Sequence, residues 1–561
     1  MKKLFLFFIF YIVSIFHSNC FSNNIDSLKI LQLAGLCKIW GFLKYYHPAI
    51  QKGKIDWDST LLIYIPKIIS ANSQEDYNKI INELILLPGR VTKLGKPYQY
   101  LPKDSSYNNF DYPWSADKNL LVQENNRLLQ EVIENYKPSN NVYIKNEINK
   151  YYFESNEKVI KKYYYPNDYN PDSYHALLAL FRYWNVINYF FGYKKIIGES
   201  WDNILIEFIP RIMEDSWSDK FYVTMIEMIA KIHDCHGWSE CYNYDLTLGK
   251  YSVPIQVKLI ENKTVITGIP DTLTSLTGMH KGDVVIKING VDVAEKRKEL
   301  RKYCNCSTDA SLEREINDKV LFSNATIYEI TFSDSSNNIK SVQFPKAEYW
   351  RSEERKPYSK THLLYDSIGY INLSRMSTMK EVRKAINHFK NSKALIFDLR
   401  DNSQTVLLPV GMRLPNRRGT PFANYYEASF KYPGSYIFTR DRDWYLGLRT
   451  FHKKYTGKVI FLINENVQSS YEWQLMSLRS DYDITLVGSN TSGTDGSATS
   501  FLIQNNFLTY FTRDAVFFSD GKPTQRVGIK PDIFVTPTIK GIQKNRDEVL
   551  DRAVDFINAG K

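Results

Sequence analysis

The chain has 561 residues, of which 43% are hydrophobic and 24% are charged, a composition typical of folded proteins with several domains. It excludes collagen-like, low-complexity and wholly disordered chains, and the mean hydropathy of −0.37 excludes a polytopic membrane protein. The net charge of +11 comes from interspersed basic and acidic residues without a basic block. This pattern indicates a solvated surface and no nucleic-acid partner.

The first 22 residues have the pattern of a secretory signal peptide. Two lysines precede the apolar run Leu4–Phe16, whose 13 residues are short for a membrane span. Cleavage is expected between Cys20 and Ser22. Lipidation of Cys20 is the less favoured alternative, because polar residues stand where a lipoprotein signal carries small ones. We therefore predict export, to a bacterial periplasm or to the cell surface.

The cysteines beyond the leader are few and odd in number, so they do not indicate a disulfide scaffold. Cys235 and Cys241 are close enough in sequence to pair, but spacing alone does not decide pairing. Cys304 and Cys306 have no second pair of ligands, so a zinc site is not expected.

An internal repeat marks the first half of the chain. Four residues recur at an offset of 144, namely Trp40, Trp57, Asp58 and Pro66 as Trp184, Trp201, Asp202 and Pro210. Apolar residues in both copies recur at three- and four-residue steps, which indicates amphipathic helices. We predict a duplicated helical module, with the first copy and a linker in residues 23–165 and the second copy in residues 166–248.

The pattern changes twice in the second half. Short β-branched runs predict a small β-rich domain over residues 249–346, in which Asn289-Gly290 forms a hairpin turn. Residues 347–561 alternate strand-like and helix-like segments. That alternation predicts an α/β domain with a largely parallel sheet.

The segment around Ser469 carries the strongest local signal for chemistry. A hydrophobic strand ends near Asn464 and a helix begins near Tyr471, so Ser469 lies on the turn between them. Such a turn exposes the hydroxyl and directs the first N–H groups of the helix to one point, as a nucleophile with an oxyanion hole requires. A serine N-cap with Glu472 in the first helical turn explains the same pattern without catalysis.

Seven strings give the chain a resemblance to a known family. In order they are KIHDCHGW, KGDVVIKINGVDV, IGYINL, ALIFDLRDN, INENVQSSYE, VGSNTSGTDG and TQRVGIKPDI. Together, over about residues 232–535, they resemble the C-terminal processing (tail-specific) serine peptidases, in the branch related to the tricorn protease core. The second string by itself resembles PDZ domains of bacterial proteases. The resemblance implies a multidomain α+β chain with a PDZ-like domain and a ClpP/crotonase-like α/β catalytic domain.

The resemblance also implies roles for particular residues. The family's nucleophile is the serine of an S-x-x-E turn, which maps onto Ser469 and Glu472. Lysine-dependent members carry a lysine 25 residues later, where this chain has Thr494. The tricorn-like branch uses a histidine instead, which maps onto His236, and imidazole suits a base at neutral pH. His233 is the nearby competitor.

Two departures from the family concern the groups around the serine and the histidine. The residue that orients the histidine is a glutamate in the tricorn-like branch, whereas here it is Gln525, with Asp495 and Asp520 as other candidates. The resemblance assigns oxyanion donors to the Ser470 N–H and to the loop at Asn402 and Ser403. That loop lacks the family's glycines.

These observations predict an exported serine endopeptidase that cleaves unfolded or extended polypeptides, near C-termini as the family does. No metal or organic cofactor is implied. Because the base, the orienting acid and the oxyanion loop all depart from the family, a catalytically inactive peptide-binding homologue is the first alternative. A glycan-associated surface protein, suggested by the 14% aromatic content, is the second.

Overall fold

The computed structural model describes residues 25–94, 107–110, 121–147, 150–153, 170–241, 248–249, 251–325, 327–345, 360–365, 367–401, 407–415, 420–441, 454–504 and 507–560. The predicted signal peptide lies outside these residues. None of the helices within them is long and apolar enough to cross a membrane.

The architecture is a mixture of helices and sheets, with most long helices in the first 230 residues. The α-helices are α1 (Ser27–Tyr46), α2 (Pro48–Gln51), α3 (Trp57–Ser70), α4 (Gln74–Leu86), α5 (Gln123–Glu134), α6 (Ser173–Phe190), α7 (Trp201–Glu214), α8 (Lys220–Ala230), α9 (Asp271–Thr277), α10 (Val293–Leu300), α11 (Asp309–Lys319), α12 (Met379–His388), α13 (Leu408–Gly411), α14 (Ser470–Asp481), α15 (Ile539–Gln543) and α16 (Glu548–Asn558).

The strands are concentrated in the second half. They are β1 (Ile144–Glu147), β2 (Lys150–Phe153), β3 (Ser239–Cys241), β4 (Gln256–Ile260), β5 (Lys263–Gly268), β6 (Val284–Ile288), β7 (Val291–Asp292), β8 (Ile327–Ser333), β9 (Ile339–Pro345), β10 (Thr361–Leu364), β11 (Ile368–Asn372), β12 (Ala394–Asp398), β13 (Ala423–Ala428), β14 (Tyr436–Asp441), β15 (Lys458–Ile463), β16 (Thr485–Gly488), β17 (Ala498–Gln504), β18 (Phe507–Thr512), β19 (Ala515–Phe518) and β20 (Ile533–Phe534).

Two N-terminal helix pairs share an unusual contact. Trp40 on α1 and Trp57 on α3 each donate the indole N–H to the other's backbone carbonyl, at 2.9 Å in both directions. Trp184 on α6 and Trp201 on α7 make the same exchange at 2.8 and 3.0 Å. Tryptophans 144 positions apart in the sequence therefore make the same contact, and each exchange satisfies two buried indole donors.

A six-stranded sheet forms the centre of the C-terminal half. Its order is β10-β11-β12-β15-β16-β20, and all strands from β11 to β20 run parallel. Every residue of β11 and β12 is buried, as expected for a parallel sheet covered on both faces. Helix α14 covers one face and α16 covers the other. The loops that follow β12, β15 and β16 consequently lie at one edge of this sheet.

The small β domain is an antiparallel sheet in the order β4-β5-β6-β8-β9, with β7 paired to β6. Its predicted hairpin turn is confirmed: Asn289 and Gly290 both have positive φ, 49° and 79°, between the paired residues Ile288 and Val291. Helix α11 packs beside β4 in the core of this domain and also contacts the central parallel domain.

A mixed five-stranded sheet brings distant segments of the chain together. Its order is β1-β2-β17-β18-β3, so the short strand after His236 pairs antiparallel with β18. Arg182 on α6 donates to the carbonyls of Leu502 and Ile503 at the end of β17, at 3.2 and 2.9 Å. The helical module therefore supports the sheet on which part of the candidate site is built.

Candidate active site

Ser469 has a strained backbone at the start of α14. Its φ of 58° and ψ of −123° lie in a region that residues other than glycine seldom adopt. Such a conformation costs about 1–3 kcal/mol and persists only where the surroundings enforce it. The Ser469 N–H is fixed by the carbonyl of Thr494 at 2.8 Å and by Oε2 of Glu472 at 3.1 Å. The turn predicted from sequence therefore exists, and it is held by two partners.

Glu472 fastens this turn to the loop that follows β16. Its buried carboxylate accepts hydrogen bonds from the N–H groups of Gly493 and Thr494, at 2.8 and 2.9 Å, and from the hydroxyl of Thr491. Burial raises its pKa to about 7, although these donors oppose the shift. Glu472 thus positions the Ser469 turn, and its buried oxygens are occupied by neighbouring donors.

Thr494 and Asp495 have structural contacts. The Thr494 side chain is fully buried and hydrogen-bonds the hydroxyl of Ser307, while its carbonyl accepts from Ser469. Oδ1 of Asp495 accepts the N–H of Gly496 at 2.8 Å, and its carbonyl accepts the hydroxyl of Tyr193 at 2.9 Å. Thr494 therefore supports the Ser469 turn, where lysine-dependent members carry their base.

His236 lies in a short loop after α8. His233 has a positive φ of 52°, which ends the helix and turns the chain toward the sheet. Gly237 follows, where a Cβ would come within 1.9 Å of the Asn305 side chain and 3.0 Å of the Asp234 carbonyl. Burial lowers the pKa of His233, and the positive charge of Arg526 adds to the effect.

Thr512 and Asp234 hold the imidazole of His236. Nδ1 of His236 lies 2.8 Å from Oγ1 of Thr512, and the Thr512 hydroxyl donates to Oδ1 of Asp234, also at 2.8 Å. Since that hydroxyl proton is engaged by the carboxylate, the oxygen accepts the Nδ1–H of neutral His236. This leaves Nε2 as the ring's acceptor, which is the tautomer a general base needs.

Asp234 itself is fully buried and multiply hydrogen-bonded. It also accepts the N–H of Thr512 at 2.6 Å and the N–H of His236 at 3.1 Å. Burial raises its pKa, while the imidazole of His236 and the donors oppose the rise. Asp234 acts on His236 through Thr512, because its carboxylate is 4.0 Å from Nδ1.

Gln525 lies on the far side of Asp234. Its Nε2 donates to Oδ1 of Asp234 at 3.4 Å, to the carbonyl of His233 at 3.3 Å and to the hydroxyl of Ser307 at 3.1 Å. Thr512 occupies the position on Nδ1 of His236 that the sequence assigned to Gln525. Gln525 instead donates its side-chain N–H to the carboxylate of Asp234, and that carboxylate accepts the hydroxyl of Thr512.

Ser307 connects the histidine loop with the Ser469 turn. Its buried hydroxyl accepts the Cys235 N–H at 3.2 Å and bonds the hydroxyl of Thr494, whose carbonyl holds Ser469. A chain of hydrogen bonds therefore joins the two predicted catalytic segments through a residue of the small β domain.

The small β domain also holds the turn that precedes Ser469. Arg314 on α11 donates to the carbonyl of Glu465 at 2.8 Å and to Oε1 of Gln468 at 3.0 Å. The Lys258 ammonium lies 3.2 Å from the carboxylate of Glu465. Two cations from one domain thus contact the turn just before the serine of the other, Arg314 through backbone and side chain and Lys258 through a side chain.

Of the predicted oxyanion donors, Asn402 and Ser403 lie outside the described residues. Ser470 is the first residue of α14, where backbone N–H groups have no acceptor within the helix. Its hydroxyl is engaged by Nε2 of Gln474 at 3.0 Å.

Sequence reasoning missed Asp234, Ser307, Thr512 and Arg314. Only Asp234 carried a local signal, as a carboxylate two residues before the candidate histidine within one quoted string. Thr512 lies 276 residues from His236, and Ser307 lies 187 residues from Thr494.

Comparisons with known proteins agree with this architecture. The profile of Peptidase family S41 matches residues 367–535. Mature CPAF complexed with lactacystin has a TM-score of 0.54 at 12% identity, covering 69% of this chain and 99% of that chain. Mature CPAF has a TM-score of 0.54 at 13% identity, covering 69% of this chain and 98% of that chain. The photosystem II D1 C-terminal processing protease has a TM-score of 0.37 at 14% identity, covering 67% of this chain and 98% of that chain. No curated protein matches the chain.

The CPAF likeness, at this identity, shows a common fold and nothing more. The profile match begins at the first parallel strand of the central sheet and includes the Ser469 turn, the Glu472 carboxylate and the loop they hold. Residues 367–535 therefore match the profile of peptidase family S41, the family of C-terminal processing peptidases that the motifs of this chain resemble.

Proposed function

We propose that the protein is a serine endopeptidase that cleaves unfolded or extended polypeptides, with Ser469 as nucleophile and His236 as general base. The observation that carries this proposal is the hydrogen-bonded series His236–Thr512–Asp234, which leaves Nε2 of His236 as the proton acceptor. This is the tautomer that a general base acting through Nε2 requires.

The proposed reaction uses these two side chains. Ser469 attacks the substrate carbonyl, and Nε2 of His236 takes its proton and later gives it to the leaving amine. The imidazolium formed in between donates from Nδ1 to Thr512, whose hydroxyl is polarised by the buried Asp234 carboxylate. The negative charge of Asp234 thus stabilises the imidazolium of His236 through one intervening hydroxyl, that of Thr512.

The start of α14 supplies part of the oxyanion site. The Ser470 N–H follows the nucleophile directly, and the helix dipole adds partial positive charge there. A second donor from Asn402 or Ser403 stays a prediction from the sequence.

We also propose that the small β domain, which we assign as PDZ-like over residues 249–346, couples peptide binding to this site. Its sheet could pair with an extended peptide strand, as such domains do. Support comes from Arg314 and Lys258, through which the domain holds the backbone before Ser469. Cleavage near C-termini and export complete the proposal, and both rest on the resemblance and the leader sequence.

A fluorophosphonate probe tests the proposal, since it labels a serine only when the serine is activated. We expect labelling and hydrolysis of unfolded casein by the wild-type protein and by Ser470→Ala, and neither by Ser469→Ala. Ser470→Ala is the matched control because it removes the neighbouring hydroxyl and keeps the backbone N–H. A folded wild-type protein without labelling or hydrolysis would refute the proposal and favour the inactive peptide-binding alternative.

A further inference from the structure

Two free cysteines face each other beside the candidate base. Cys235 lies between Asp234 and His236, and the Cys306 side chain is close enough to lower the pKa of its thiol. The Ser307 N–H and the Ser492 hydroxyl donate to the Cys235 sulfur, at 3.2 and 3.3 Å. The peptidase mechanism uses neither thiol.

Hydrogen bonds on both sides hold the two cysteine-bearing segments together. The Asn305 side chain accepts the Asp234 N–H at 2.7 Å and donates to the Gly237 carbonyl at 3.0 Å. The Cys235 N–H donates to the hydroxyl of Ser307 at 3.2 Å. Hydrogen bonds from residues on each side of the two cysteines therefore keep the two segments next to each other.

The two thiols differ in charge and in access. The hydrogen bond from Cys306 and the nearby Arg314 guanidinium outweigh burial and hold the pKa of Cys235 well below its usual range. The hydrogen bond to Cys235 raises the pKa of Cys306, which is 5% exposed, whereas Cys235 is half-buried. Cys235 is therefore the more exposed of the two thiols and the one with the lowered pKa, so we expect an oxidant from solution to react there first.

We propose that Cys235 and Cys306 are a disulfide-forming pair that, once oxidised, ties the loop of His236 covalently to the small β domain. The oxidant is a disulfide of the glutathione class. The Cys235 thiolate attacks one glutathione sulfur and expels the other glutathione as thiolate. The Cys306 thiol then gives up its proton to that thiolate, attacks the Cys235 sulfur and expels the second glutathione. Two protein thiols are oxidised by two electrons, and one glutathione disulfide is reduced to two glutathiones.

The second step becomes favourable once the first has occurred. Capping Cys235 removes its negative charge and the hydrogen bond that holds the Cys306 proton. The Cys306 thiolate is then easier to form, next to the mixed disulfide that it attacks. The bond closes a long loop between residues 235 and 306, so it should stabilise the folded chain.

Peptide mapping after incubation with oxidised glutathione tests the pair and does not depend on peptidase activity. Trypsin releases residues 232–250, with Cys235 and Cys241, and residues 303–314, with Cys304 and Cys306. We expect these two peptides to be cross-linked, with a mass 2 Da below their sum. Cys241→Ser and Cys304→Ser are matched controls, because each removes the other cysteine of one peptide and should keep the cross-link.

Cys235→Ser and Cys306→Ser should abolish the cross-link. Reduction should lower the melting temperature of the wild type and of Cys304→Ser by about 5 °C, and should leave Cys306→Ser unchanged. Alkylation of Cys235 and Cys306 themselves after full oxidation, or a cross-link that survives Cys306→Ser, would overturn the proposal. Both readouts can be taken in a Ser469→Ala background, so they stand whether or not the protein is a peptidase.

Discussion

The hydroxyl of Thr512 is the most informative single group to remove. Thr512→Val keeps the shape of the side chain but deletes the donor to Asp234 and the acceptor for Nδ1 of His236, both at 2.8 Å. A hydrogen bond to a charged group contributes about 1.5–3 kcal/mol. If the imidazolium of the transition state depends on this bond, kcat/KM should fall by about 10- to 100-fold, at 1.36 kcal/mol for each factor of ten.

The same substitution carries a stability cost that must be separated from the rate effect. Deleting the hydroxyl takes a donor from the buried Asp234 carboxylate, so the free energy of unfolding should fall by about 2–3 kcal/mol. Thr224→Val is the matched control, because the buried Thr224 hydroxyl also donates to a carboxylate, that of Asp215 in the helical module. Thr512→Ser restores the hydroxyl and should recover most of the rate.

The assay is the hydrolysis of an unfolded protein or peptide, together with urea denaturation of each variant. We expect Thr224→Val to lose stability while it keeps kcat/KM within about two-fold, since its hydroxyl bonds Asp215, which is not a residue of the site. Thr512→Val should lose both. A folded Thr512→Val protein with the wild-type kcat/KM would show that the Thr512 hydroxyl does not set the tautomer of the base, and the assignment of His236 would lose its main support.

Three further predictions follow from contacts of the site. Gln525→Glu should lower both rate and stability, because the new carboxylate would face that of Asp234; a faster enzyme would show that position 525 orients the base directly. Glu472→Gln should remove a pH dependence of the free energy of unfolding. Glu472 has a raised pKa of about 7, so its contribution to that free energy is full below pH 4.5 and is lost as the pH rises through 7. Urea denaturation should therefore show the wild type losing about 3 kcal/mol relative to the variant between pH 4 and pH 8, and parallel curves would contradict this. Trp238→Ala should lower kcat/KM about 3- to 10-fold for peptides with an apolar residue beside the cleaved bond, because Trp238 lies two residues after His236, is half-exposed and stacks on Tyr510 with ring centroids 4.3 Å apart. Glycine-containing peptides should be unaffected, and equal losses for both would refute a role in specificity.

The features that the sequence determined are those set by neighbouring residues. The hairpin at Asn289-Gly290 follows from two residues that tolerate positive φ. The turn at Ser469 follows from an apolar strand that leads directly into a helix, and Glu472 lies one helical turn later, where it reaches back to the turn's N–H. The parallel sheet follows from alternating strands and helices, because such strands need crossover connections.

Only the tertiary structure decided which groups surround the histidine. The sequence indicated His236, but the acceptor on its Nδ1 comes from a strand 276 residues away, and the link to Ser469 passes through Ser307 of another domain. Thr512 and Ser307 are ordinary residues for a strand and a loop, so no local pattern distinguishes them. Their roles arise because buried donors and acceptors must find partners, and the packing of the sheet determines which distant hydroxyl provides one.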